Sequence, residues 1–178
     1  WLITDMVRLA RLCSGGTSDS GLSHNCMLTL SQAFKVETEA RRIAASGEDV
    51  TCNGEILTGS MREDFIGSRV PADDLPKIDR DLVTVTKPNS IAMRMTMVAC
   101  DRADLVASLR WGNEWDVAAA HLVAQEAGAV VTDALGNSII YNKREPLDFG
   151  LICCAPGIHE AAVERLLARA SSITAPSS

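Results

Sequence analysis

The stretch Glu114-Trp115-Asp116-Val117-Ala118-Ala119-Ala120-His121-Leu122-Val123-Ala124-Gln125-Glu126-Ala127-Gly128 admits few structures. Most of its residues are good helix formers and a glycine closes it, so a helix over 116–128 is expected. Three successive alanines let that helix approach another layer closely. Asp116 stands where a strand and loop enter the helix. A carboxylate there has two jobs open to it. It can accept backbone N–H bonds as an N-cap, worth about 1 kcal/mol, or it can turn an oxygen outward to a hard cation.

From residue 60 onward strands and helices alternate, the mark of a layered α/β domain. Leu82-Val83-Thr84-Val85-Thr86 alternates like a strand with one buried face, and Lys87-Pro88-Asn89 breaks it. Ser90 stands at an N-cap position. Ile91, Met95 and Val98 recur at helical spacing, so a core-facing helix is expected over 91–100, with Met93, Met95 and Met97 as core filler. Strands are expected over 64–70, 104–109 and 151–155, and a turn or helix start over 71–76. A strand-turn-strand is expected over 129–141 with its turn at 133–137, and an amphipathic last helix over 158–168. Asn53-Gly54 is the best hairpin signal, because both turn positions tolerate positive φ. Further upstream the pattern predicts a helix over 1–12, a flexible loop over 13–21 and an exposed helix over 32–45.

Composition narrows the function. The chain has 178 residues, 47% of them hydrophobic, and a formal charge of −6, enough for one buried core. Acidic balance argues against nucleic-acid binding, which needs clustered Lys and Arg. No apolar run reaches the roughly 18 residues of a membrane span, and a secretory signal is missing, so a cytoplasmic protein without membrane partners is expected. Six cysteines lack C-x-x-C or zinc-finger spacing, and Cys153-Cys154 reads as part of a core strand. Gly15-Gly16-Thr17 lacks the lysine of a P-loop, and His121 reads as a packed histidine rather than a base.

The 114–129 string resembles the W-D-x-A-A-G-x-x-[apolar]-x-x-E-A-G-G signature of the inositol monophosphatase family, which comprises magnesium-dependent, lithium-sensitive phosphatases and includes bisphosphate nucleotidase-like members. Trp115, Asp116, Ala118, Ala119, Glu126, Ala127 and Gly128 match, while Ala120 and Ala129 replace two glycines. Asn53-Gly54, Ser68-Arg69, Asn89-Ser90-Ile91-Ala92 and Tyr141-Asn142-Lys143 extend the likeness. It covers about residues 53–168, setting apart a poorly matching 1–52 and a disordered tail at 169–178.

The resemblance implies a layered α/β sandwich of the inositol monophosphatase type, incomplete at the N-terminus, and hydrolysis of a small phosphomonoester by water activated on Mg²⁺. It assigns Asp116 as a metal ligand. Other ligands in the family come from an upstream glutamate and a D-P-x-D-G-T signature. No D-P-x-D-G-T occurs here, and Asp5 alone stands as a relic of it. With Trp1 rather than methionine at the start, a truncated or frame-shifted product of a parent phosphatase is expected, lacking several ligands. The rival expectation is a catalytically inactive remnant serving as a structural or dimerisation domain, since family members often form homodimers. In inositol-selective members an acidic residue lies seven positions before the W-D aspartate, where Leu109 stands here. Arg110, Asn113 and Glu114, in the loop expected before Asp116, and Ser90 are the candidate substrate contacts.

Overall fold

Residues 151–154 alternate between two cores. Leu151 and Cys153 face one side with Val106 and Val131, and Ile152 and Cys154 face the other with Leu105. A strand with both faces apolar has to be covered on both, and the alternation of side chains makes each face available to a different layer. The computed structural model describes residues 42–43, 50–52 and 55–174. In it, β6 (Leu105–Asn113), β7 (Val130–Thr132) and β8 (Leu147–Cys154) form an antiparallel sheet in the order β6-β8-β7. Helices α1 (Ile91–Ala99) and α2 (Glu114–Glu126) pack together on one face, through Met95, Val98, Ala120 and Ala124. Helix α3 (His159–Thr174) covers the other through Ala162 and Leu166. Burying each large apolar side chain of these layers contributes about 1.5–3 kcal/mol.

The remaining strands are short. β1 (Arg42–Ile43), β2 (Thr51–Cys52) and β3 (Glu55–Ile56) pair in that order, and β4 (Arg69–Pro71) runs parallel to β5 (Val83–Val85). Thr51 pairs with Ile56 and Cys52 with Glu55; the Asn53-Gly54 turn expected between them lies outside the described residues. Beyond the hairpin, Val50 and Leu57 pack on Ala99, Val123 and Ala127.

Several expectations are corrected. Arg42–Ile43 pairs with Thr51–Cys52 instead of belonging to a helix over 32–45, cross-strand pairing overriding a weak helical preference. The remainder of that segment, and the helix and loop expected over 1–21, lie outside the described residues. The strand expected from Asp64 starts only at Arg69, because 65–67 make a turn with Gly67 at φ +79°. Instead of forming a strand with one buried face, β5 leaves Val83 half exposed. No strand forms over 138–141. Both edges of β8 are already taken by β6 and β7, and the alternation of that segment is met by packing, with Ile139 buried and Ile140 exposed. The last helix runs to Thr174, beyond the expected end at 168, and Arg169 on it is ion-paired to Asp79.

Cys153 and Cys154 are buried thiols on opposite faces of β8. Burial pushes both up, Cys154 to about 12, so neither is a nucleophile at neutral pH.

Candidate active site

β6 enters α2 without a loop. Asn113 is the last strand residue and Glu114 the first of the helix, because the Glu114 N–H donates to the carbonyl of Pro146 at 3.1 Å and so ends the ladder in a turn of helix. Arg110 and Asn113 are therefore strand residues rather than loop residues. Asp116 lies in the first turn of the helix and is not its N-cap; that position is held by Asn113, whose side chain makes no capping bond. Asp116 is exposed, and its Oδ2 accepts a long bond of 3.4 Å from Asn113 Nδ2. With capping left to another residue, its carboxylate is available to a ligand.

Beside it lies a cavity of about 780 Å³ whose walls include Asp116, Asn113, Arg110, Leu109, Arg94 and Asp148. Arg94 comes from α1 and Asp148 from β8, so three layers meet here. The cavity wall carries Lys87, Arg94, Arg110 and Arg169 together with Asp74, Asp116 and Asp148. Lys87 is ion-paired with Asp73 and Arg169 with Asp79.

Glu114 and Ser90 take different places. Glu114 is 6% exposed; its Oε2 accepts from the Asn142 N–H at 2.7 Å and its Oε1 from the Lys143 N–H at 3.3 Å. Lys143 Nζ stands 3.7 Å from Glu114 and 2.5 Å from Asp148. Ser90 caps α1, its hydroxyl accepting from the Met93 N–H at 3.3 Å. Neither lines the cavity wall. Asp5 lies outside the described residues. His121 is packed as expected: burial lowers its pKa, and its Nδ1 shares a 2.6 Å hydrogen bond with the Tyr141 hydroxyl.

Sequence reasoning passed over Arg94, Lys143 and Asp148. Arg94 had a signal, being the only charge in the nine residues Ile91–Ala99. Lys143 and Asp148 had none, because only tertiary pairing brings them to α2. Among the described residues no group of three or more His, Cys, Asp or Glu side chains is gathered to hold a metal ion. Nor is any helix among them long and apolar enough to cross a membrane.

An exposed carboxylate in the first turn of a helix, beside a charged cavity between helix and sheet layers, defines a layered α/β protein. The chain belongs to the inositol monophosphatase family, whose model matches residues 25–174. It is similar to inositol monophosphatase 2 of Solanum lycopersicum, at 44% identity over 48 residues that make 27% of this chain and 18% of that one. Among solved structures, the Thermotoga maritima inositol monophosphatase superposes with a TM-score of 0.61 at 21% identity, over 76% of this chain and 54% of its own. The inositol monophosphatase from Anabaena (Nostoc) sp. PCC 7120 gives 0.59 at 18% identity, over 72% and 54%. These similarities establish the inositol monophosphatase fold. The chain spans about half the length of these solved structures and less than a fifth of the curated relative.

Proposed function

We propose that the whole protein to which these residues belong hydrolyses a small phosphomonoester, an inositol phosphate or related sugar or nucleotide phosphate, with Mg²⁺ held in part by Asp116. The observation that carries this reading is the exposed Asp116 carboxylate, which does not cap its helix and lines the 780 Å³ cavity beside Arg110. A carboxylate oxygen suits a hard cation such as Mg²⁺, which is commonly bound through one or two carboxylates together with substrate phosphate. When bound, the ion supplies activation of the attacking water and neutralisation of charge on the leaving oxygen. Asp116 would hold the ion, Asn113 positions Asp116 through its Nδ2 bond, and Arg110 would meet the substrate. Glu114 acts one step back, fixing the 142–143 backbone against the start of α2. Asp5 and residues outside the described ones are assigned the remaining ligands. Cytoplasmic residence fits the buried thiols of Cys153 and Cys154, which a reducing compartment preserves.

Because the 178 residues contain no D-P-x-D-G-T, the chain alone is expected to bind the cation weakly and to turn over no substrate. Mn²⁺ titration followed by electron paramagnetic resonance should show a weak site that disappears in Asp116→Asn. Phosphate release from inositol 1-phosphate with Mg²⁺ should be the same for both proteins. Asp116-dependent turnover would show a centre more complete than proposed. The second reading, an inactive structural or dimerisation domain, draws on the absence of a three-ligand cluster among the described residues and on the exposed Trp111, Ile140 and Leu147. Absence of any Asp116-dependent cation binding would favour it.

A further inference from the structure

Tyr141 is the only tyrosine in the chain, and its hydroxyl lies 2.6 Å from His121 Nδ1, with the two rings tilted at 48°. The bond joins two elements. His121 stands two turns along α2 from Glu114, and Tyr141 lies in the connection between β7 and β8. The direction of the bond follows from the neighbours. His121 also bonds the Gln125 side chain one turn further on, and that bond favours the charged imidazole. Only a ring N–H donating to Gln125 has this effect. In the neutral ring the nitrogen facing Tyr141 is therefore the acceptor, and the Tyr141 hydroxyl donates to it. Burial pushes the imidazole down, and burial followed by the charges of Asp148 and Glu114 pushes the phenol up, so both groups are uncharged at neutral pH.

Protonation has to reverse that bond. A charged imidazole has two N–H donors and no acceptor, so the Tyr141 oxygen must accept from Nδ1 and its own hydrogen needs another partner. Two carboxylates act on the phenol, that of Asp148 more strongly than that of Glu114. Glu114 is committed, with Oε2 holding the Asn142 N–H and Oε1 the Lys143 N–H. Asp148 is only half committed. Its Oδ1 accepts from Lys143 Nζ at 2.5 Å, while its Oδ2 is buried with no hydrogen-bond partner. An unmet buried acceptor is costly, and a displaced hydroxyl would meet it. The charged groups around the pair are thus Glu114 on α2, Lys143 in the connection and Asp148 on β8. No other side chain contributes a charge that shifts His121 or Tyr141.

We propose that His121, Tyr141 and Asp148 form a proton-operated switch: a proton taken up at His121 Nδ1 reverses the bond to Tyr141, whose hydroxyl then turns to Asp148 Oδ2. The proton comes from solvent, and Tyr141 keeps its own. Acid thereby adds a bridge from α2 to β8 and occupies the free oxygen of a carboxylate that lines the cavity. The window lies below the ordinary histidine value of 6.5, because the folded imidazole gives up its proton more readily than an unfolded one. Folding loses stability as pH falls through that window, and the Tyr141–Asp148 bond limits the loss. The switch does not depend on the phosphatase reading.

With a single tyrosine, the full chain labelled at tyrosine ¹³Cζ gives one resonance, to be followed beside the His121 imidazole signals from pH 8 to pH 4. The Tyr141 signal should move with the same midpoint as His121, below 6.5. Asp148→Ala should lower the proton affinity of His121 by about threefold or more. In a Tyr141→Phe background the same change should leave that affinity unaltered, since the hydroxyl linking the two groups is gone. Asp148→Asn, which keeps an oxygen for Lys143, serves in its place if thermal melts show Asp148→Ala to be unfolded. A Tyr141 resonance that stays still through the His121 titration, or a His121 that remains neutral down to pH 4, would overturn the proposal. So would an Asp148 effect that persists at full size in Tyr141→Phe, which would be charge acting through space.

Discussion

Gly150 sits in the middle of β8 at φ +73°, where an L side chain is strained, and a Cβ there would overlap that of Ala134 and stand 2.5 Å from the Ser108 carbonyl oxygen. Beside it the register of β6 against β8 shifts between Ser108 and Trp111, where the edge of the cavity begins. Gly150→Ala should lower stability by about 2–5 kcal/mol, adding backbone strain to overpacking. Gly112, with nothing within 4 Å of its added Cβ, should tolerate the same change within about 0.5 kcal/mol. Urea denaturation of the two variants checks both numbers. Single residues also show what sequence alone offers. The Trp115-Asp116 pair carried the family likeness, but whether Asp116 caps its helix depended on where β6 gives way to α2, at Asn113 opposite the Pro146 carbonyl, which lies 30 positions beyond Asp116. Ser90, by contrast, is a local cap and was legible as one.

Among the elements, α2 depends on the loop that follows β7. Glu114 at its start holds the Asn142 and Lys143 amides, and Lys143 in turn reaches Asp148 on β8. Asn142 adopts φ +64°, so its backbone has to be held in place. Glu114→Ala leaves the Asn142 and Lys143 amides without their acceptor, and unmet buried groups cost about 1–3 kcal/mol each. The expected loss is about 2–4 kcal/mol by urea denaturation, and amide hydrogen exchange should speed up at 142 and 143 while the core of β8 stays protected. This clamp was invisible in sequence, where Glu114 reads as a candidate substrate contact ahead of Asp116. Helices α1 and α2 were legible through their spacing and glycine stop, because helical periodicity is local. The strand expected over 138–141 was not realised, since alternation is the same whether a segment pairs or only packs, and partner strands decide which.

Across the whole molecule, one buried carboxylate ties distant segments together. Asp104, 1% exposed, accepts from the Ser60 hydroxyl at 2.5 Å, from the Arg69 N–H at 2.7 Å and from the Arg69 guanidinium, which also reaches Asp101. Burial by itself would raise its pKa; the bonds from Arg69 and Ser60 outweigh burial and hold it down to about 2. The stability this provides is complete above the ordinary carboxylate value near 3.8 and is lost as pH falls through about 2. Acid unfolding should therefore carry a component of up to about 2 kcal/mol in that window. Asp104→Asn should remove the component and lower stability at pH 7 by about 3 kcal/mol, as it leaves Arg69 without its buried partner. Denaturation curves taken from pH 2 to pH 7 on both proteins measure it.

Sequence by itself determined the family, the layered α/β class, and α1 and α2. Each of these is written in neighbours a few positions apart, where residue preference and spacing act directly. Tertiary structure alone decided that Asn113 and not Asp116 holds the N-cap position of α2, that Glu114 serves the 142–143 backbone, and that Arg94 and Arg110 line one cavity with Asp116 and Asp148. Those arrangements bring together α1, β6 and β8, and no local pattern records which charges end up facing one another once the layers have packed.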